Sequence, residues 1–288
     1  MAVYKRGYTR YQGTLTGRFA RLMVLPRFAW RDLLGQRLIV ILLVVAMFFP
    51  VGSIAYVYLV NNPVLLLGIG NQGAIAETFK IDSQFFLIFM NVQSVIAILL
   101  AAFAGPSLIA PDLTNGALPL YFSRPLSRGD YIVARLMVLV GILSPVTWIP
   151  GLIVFGMQSG LAGWTWFANN WNLGVGVLLG LVLWILLVSL VAMASSAFVK
   201  WRVVAGALVL AVFFLLTGAS ALLNAVLRVE WGYLFNPAYA MEQLWTFILN
   251  AEPLSGPSAA ACTISLIAMG ALLLAILWRR LRPVEVIS

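Results

Sequence analysis

Residues 111–135 read PDLTNGALPLYFSRPLSRGDYIVAR, a long polar stretch set between two apolar segments. Each flanking segment is long enough to cross a bilayer core of ~30 Å at ~1.5 Å rise per residue. Local signals give the stretch a shape. Asp112 is placed to N-cap a short helix, its carboxylate accepting backbone N–H groups that the helix leaves orphaned. Ser127-Arg128-Gly129-Asp130 has the spacing of a capping box and opens the next apolar helix. Between them, Arg124-Pro125 favours an extended or turn conformation, because proline disfavours helix in the residue before it. The expectation is a short helix, a turn and a return into the membrane.

Composition supports the membrane reading. Of 288 residues, 62% are hydrophobic and 9% are charged, against about 25% charged in soluble domains. The apolar runs are long and continuous, whereas an outer-membrane barrel alternates weakly over ~10-residue strands. The expected class is an all-α integral membrane protein. A net charge of +9 could point to nucleic acid, but the basic residues follow membrane topology, so no nucleic-acid partner is expected. The chain has no histidine and one cysteine, Cys262. It therefore lacks the commonest general base, the commonest metal ligand and any internal disulfide. The first apolar run starts near Leu38, too far from Met1 for a cleaved signal, so the N-terminus is expected to be retained.

In order, residues 1–20 are polar and basic. From Pro26 an amphipathic helix is expected, with Arg27, Arg31, Asp32 and Gln36 on one half and Ala29, Trp30, Leu33 and Leu34 on the other. Phe28 is the misfit, and Pro26 suits a first turn. Such a helix lies in the membrane interface with its arginines toward headgroups. Six spans are expected at Leu38–Val60, Ser83–Ile109, Tyr131–Met157, Leu173–Val199, Val203–Leu223 and Ala259–Trp278. Pro50 should kink the first, and Gly105-Pro106 should break the second near its end. Residues 158–172 read as a short loop whose Trp164, Trp166 and Trp171 mark the membrane–water boundary. The segment 224–257 carries Glu230, Glu242 and Glu252 and an amphipathic stretch at Tyr239–Leu249. Gly176 and Gly180 form a Gly-x-x-x-Gly suited to close packing, of helices within the chain or between subunits. The whole is one membrane domain over 1–288: an N-terminal cytoplasmic or interfacial segment (1–37), a six-helix region (38–278) and a tail (279–288).

Six spans place both termini on one side. All 18 Lys and Arg except Lys80 and Arg228 then fall on that side. The positive-inside rule makes it cytoplasmic.

The energy source narrows the function. Ion-coupled carriers place ionisable groups inside the membrane, yet every Asp and Glu here reads as a span boundary or a loop. Asn91, Gln93 and Ser94 are better explained as interhelical hydrogen bonders. Lys5, Lys80 and Lys200 are the only lysines, and none sits in a P-loop. If ATP drives this protein, another chain hydrolyses it and needs a cytoplasmic docking element, for which 111–130 is the best candidate. A membrane-embedded enzyme lacks the clustered acids and nucleophiles it would need.

The same stretch resembles the permease subunits of the type-2 ABC exporter family. There an acidic residue, a Gly followed by a small residue and Leu, and a run of Ser, often Arg, then Pro, Leu or Val, Ser and Arg lie between the second and third spans. Here these are Asp112, Gly116-Ala117-Leu118 and Ser123-Arg124-Pro125-Leu126-Ser127-Arg128. The family more often has Glu at the position of Asp112 and Thr at that of Ala117. The resemblance implies a type-2 ABC permease fold of six transmembrane helices behind an interfacial helix, in a bacterial inner membrane. It implies no catalytic site and no cofactor in this chain, with ATP and Mg held by two copies of a separate ATPase subunit. It also implies a second permease subunit, in a homo- or heterodimer. Asp112, Gly116, Leu118, Leu120, Arg124, Pro125 and Arg128 become the expected ATPase-coupling residues. In the family, short helices in the segment matching 224–257 partly re-enter the outer leaflet. The alternative reading is a membrane scaffold or assembly factor that moves no solute, including a permease-like protein serving copper-enzyme maturation.

Overall fold

The structure, a computed structural model, describes residues 17–62, 80–117, 121, 127–199 and 201–281. Of the described residues 87% are helical and none is in a strand, and six helical segments are long and apolar enough to cross a membrane.

Helix α1 (Arg18–Leu34) is amphipathic, but Pro26 sits inside it rather than in its first turn. Residues before Pro26, such as Ala20, Leu22 and Met23, are good helix formers and carry the helix back to Arg18. Leu33 is buried, and Trp30 donates its indole N–H to the Val138 carbonyl at 3.0 Å. Leu34 and Phe28 are both exposed. Helix α2 (Arg37–Asn61) runs unbroken through Pro50.

The second expected span is α3 (Ser83–Ala104) followed by α4 (Pro106–Thr114). Asp82 caps α3, accepting from the Gln84 and Phe85 amides, both at 3.1 Å. Gly105 and Pro106 separate the two helices, as their pairing predicts. The third span is α5 (Arg128–Leu143), a 3₁₀ turn (Ser144–Val146) and α6 (Trp148–Ala162). The break falls at Pro145, which lacks an N–H and whose ring crowds the preceding turn, and the whole of Arg128–Ala162 is still long and apolar enough to cross a membrane.

The expected loop at 158–172 is a correction. It is helical on both sides of Gly163, and α7 runs from Trp164 to Phe198, 35 residues. Gly163 makes the turn alone at φ 88°, which glycine adopts without steric cost. The asparagines at 169, 170 and 172 tolerate helix, and Asn170 satisfies itself on the Trp166 carbonyl at 2.9 Å. Helix α8 (Arg202–Leu227) leads to a 3₁₀ turn (Trp231–Phe235), α9 (Pro237–Ile248) and α10 (Ala259–Arg280).

Helix α7 is the hub. It packs against α3, α4, α5, α6, α8, α9 and α10. In its most apolar stretch 61% of residues are buried, against 22% in α2 and 17% in α10. The outer helices therefore turn apolar side chains outward, including Phe48, Phe214 and Ile264. Water would penalise so much contiguous apolar surface, while a lipid environment would not. Small residues bring the inner helices close. A Cβ on Gly206 of α8 would stand 2.5 Å from the Ala102 carbonyl oxygen of α3, and one on Gly105 would stand 2.6 Å from the Ala192 Cβ of α7.

Candidate functional site

The helices on either side of the 111–135 stretch are tied together by side chains. Asp112 lies in the last turn of α4. It is not the N-cap expected for it, because the helix begins earlier, at Pro106. Its carboxylate accepts a hydrogen bond from the Tyr131 hydroxyl at 2.6 Å and pairs with the Arg135 guanidinium. Tyr131 and Arg135 are one helical turn apart, so both reach the same carboxylate from one face of α5. Arg135 also stacks over the Tyr131 ring at 5.3 Å, and Tyr121 packs on Tyr131 at 5.8 Å.

All three members of the cluster are largely withdrawn from solvent. The Asp112 and Arg135 side chains are 13% and 9% exposed. A pair this secluded loses hydration on both sides and depends on geometry and added hydrogen bonds to recover it. Tyr131 supplies one such bond. The cluster is a tether between the end of α4 and the start of α5.

The second end of the stretch forms as its spacing predicts. Ser127 accepts from the Asp130 amide at 3.1 Å, and Asp130 accepts from the Ser127 amide at 3.1 Å. Arg128 is the first residue of α5. Gly116 adopts φ 61°, with open space where a Cβ would project. The Ala117 amide donates to the Asp112 carbonyl at 2.8 Å, closing the end of α4. Leu118, Leu120, Arg124 and Pro125 lie outside the described residues.

Gly176 and Gly180 face α9 of the same chain. A Cβ on Gly176 would stand 2.7 Å from Leu249 Cδ2. One on Gly180 would stand 2.5 Å from Met90 and 2.7 Å from the Trp245 ring. Asn236 caps α9 through the Ala238 and Tyr239 amides, and Pro237 starts it. The amphipathic stretch read from sequence is thus a helix whose Met241 and Trp245 point into the bundle. Trp245 meets Trp184 of α7 edge to face at 5.9 Å.

This packing carries a carboxylate inward. Glu242 of α9 accepts a hydrogen bond from the Asn91 amide at 2.8 Å, and Asn91 stands ~12 Å along α3 from its start. The sequence places Glu242 in a loop, and the fold returns it to the flank of a long apolar helix. Asn91 therefore bonds between helices, as expected. Ser94 offers its carbonyl to the Trp184 indole at 3.1 Å. Gln93 is fully buried, and neither atom of its amide has a partner among the described residues.

Sequence reasoning missed Tyr131 and Arg135, which it took as the start of a span and a topology charge. The available signal was their four-residue spacing on the helix that the capping box opens. It missed Glu242 as well, for want of any signal that α9 folds back. No family model matches this chain, and no curated protein matches it.

Proposed function

We propose that this chain is the membrane subunit of an ATP-driven exporter of the type-2 ABC kind, coupled to a separate ATPase through the 111–130 stretch. The observation that carries the proposal is the Asp112–Tyr131–Arg135 tether. It fastens α4 to α5 at the base of the stretch that bears the family-like residues. A push on that stretch would be delivered to both helices together rather than absorbed by their splaying.

On this reading the end bearing Asp112 is cytoplasmic, as the distribution of basic residues favours. ATP binding would draw two ATPase subunits together beneath two copies of this chain. Force would pass from Arg124, Pro125 and their neighbours through the tether into α4 and α5. Both pack on α7, so a tilt of either has a route to α9, which lies at the opposite end of α7. The Glu242–Asn91 bond and the Trp245–Trp184 contact hold α9 in place. Release of α9 would open the outer side. Helix α1 would lie in the membrane interface.

The experiment replaces 111–130 with a neutral Gly/Ser linker of equal length and measures co-purification with candidate ABC ATPase subunits from the same cell. Loss of the ATPase, with the permease still extracted in folded form, is the expected result. Undiminished association would remove the docking role from this stretch.

A further inference from the structure

Between α1, α2 and α5 lies a cavity of about 530 Å³, within the ~300–1,000 Å³ usual for small-molecule sites. Its wall is apolar throughout: Trp30 and Leu34 of α1, Val40, Val44 and Met47 of α2, and Ile142 of α5. The Trp30 indole N–H is already committed to the Val138 carbonyl. The α2 residues share one helical face. Counted from Arg37, they descend ~15 Å, half of a ~30 Å hydrocarbon core. The cavity is therefore a slot one leaflet deep. Gly141 lets the Trp30 ring close one side of the slot against α5, because a Cβ there would stand 2.5 Å from that ring.

A second cavity adjoins the turn joining α1 to α2 and is lined by Phe28, Arg31, Asp32, Gly35 and Gln36. Arg27, Arg31 and Arg37 are all exposed around this turn, and Asp32 is the one acid between Arg18 and Asn61. Arg31 stands three residues before Leu34 on α1 and is therefore its neighbour on the helix surface, and an apolar slot one leaflet deep with positive charge beside it matches an acyl chain joined to an anionic headgroup. Basic pockets between membrane helices hold such headgroups on general electrostatic grounds.

We propose that this site binds one anionic phospholipid, with an acyl chain in the α1–α2–α5 slot and its phosphate at Arg31. The proposal rests on the interfacial placement of α1 but not on the ATPase coupling. A lipid held there would wedge α1 against α2 and α5.

The test uses the full chain, purified in mild detergent and offered equal amounts of phosphatidylglycerol and phosphatidylcholine. Native mass spectrometry reads the lipid retained. Phosphatidylglycerol should be retained in preference, less so as salt rises. Arg31→Gln should reduce the preference about five-fold, roughly the worth of one basic residue against an anionic headgroup. Asp32→Asn should raise it. Val44→Trp, which fills the slot, should lower retention of both lipids. Equal retention by the wild type, or an unchanged preference in Arg31→Gln, would overturn the proposal.

A photoreactive phosphatidylglycerol carrying its label in the acyl chain covers the case in which a variant fails to fold. On the wild type its adducts should map to residues 30–47 and 141–145. Adducts elsewhere, or cross-links from this slot to a second copy of the chain, would also overturn it. A spin label at Arg27→Cys, in a Cys262→Ser background, reports separately whether α1 sits at headgroup depth. A label in bulk water would fault the placement of α1, whereas a label at headgroup depth with no lipid preference would fault the site alone.

Discussion

Removing the Asp112 carboxylate would leave the Arg135 guanidinium buried with no anion to meet it. Asp112→Ala should therefore cost about 3–5 kcal/mol of stability, as broken buried pairs do. Tyr131→Phe removes one hydrogen bond to a charged acceptor and should cost about 1.5–3 kcal/mol. The two effects should be non-additive, because both act on one carboxylate. Chemical denaturation of the detergent-solubilised protein across the double-mutant cycle checks this. Additive losses would mean that the three side chains do not act as a unit. Ser127→Ala, by contrast, removes only an exposed cap and should cost about 1 kcal/mol. That contrast reflects what could be read in advance. The Ser127–Asp130 box is a local signal, fixed by residues three apart. The Asp112–Arg135 pair spans 23 residues and depends on how α4 and α5 come together, which no local pattern encodes.

Helices follow the same division. Six apolar runs were legible because hydrocarbon demands length and continuity, and the described residues hold six helical segments of that kind. Their ends were less legible. Gly163 alone turns the chain where a loop of fifteen residues was expected, because uncharged Asn and Trp neither end a helix nor require water. Pro145 breaks α5 from α6, while Pro50 leaves α2 intact. The close contacts make sharper predictions. Gly206→Ala places a methyl group 2.5 Å from a backbone oxygen that cannot turn aside, and should cost about 1–3 kcal/mol. Gly180→Val should push α9 away from α7 at a similar cost, through the Trp245 ring and Met90. Thermal stability in detergent reads both. If Gly180→Val proved neutral, the seat of α9 on α7 would be wrong. Gly176 and Gly180 were recognisable as packing glycines, but their partner was not. It arrives from more than fifty residues downstream, on a short helix with no span of its own to announce it.

For the molecule as a whole, α7 holds the inner helices while α2, α8 and α10 present apolar faces outward. That arrangement suits a unit with lipid on most of its perimeter. It also leaves surface for a second copy, as the proposed exporter needs. The sequence reaches the proposal by exclusion of other energy sources and by resemblance, and the structure shows α4 joined to α5 through Asp112, Tyr131 and Arg135. Substrate is a different matter. Among the described residues Asn91 and Glu242 are half-buried where α3 meets α9, and Gln93 is enclosed by packing rather than open to a path.

The most direct test of ATPase coupling is hydrolysis by the assembled complex. The chain would be co-expressed with a candidate ABC ATPase subunit from the same cell, extracted gently, and assayed for vanadate-sensitive ATP turnover as wild type, Asp112→Ala and Arg124→Ala. The account predicts a stable wild-type complex, with turnover reduced several-fold in both variants while Arg124→Ala leaves the stability of the permease unchanged. A complex whose turnover is the same in all three would contradict coupling through this stretch. Failure of the folded wild-type chain to bind that ATPase would contradict the exporter reading and favour a scaffold that moves no solute.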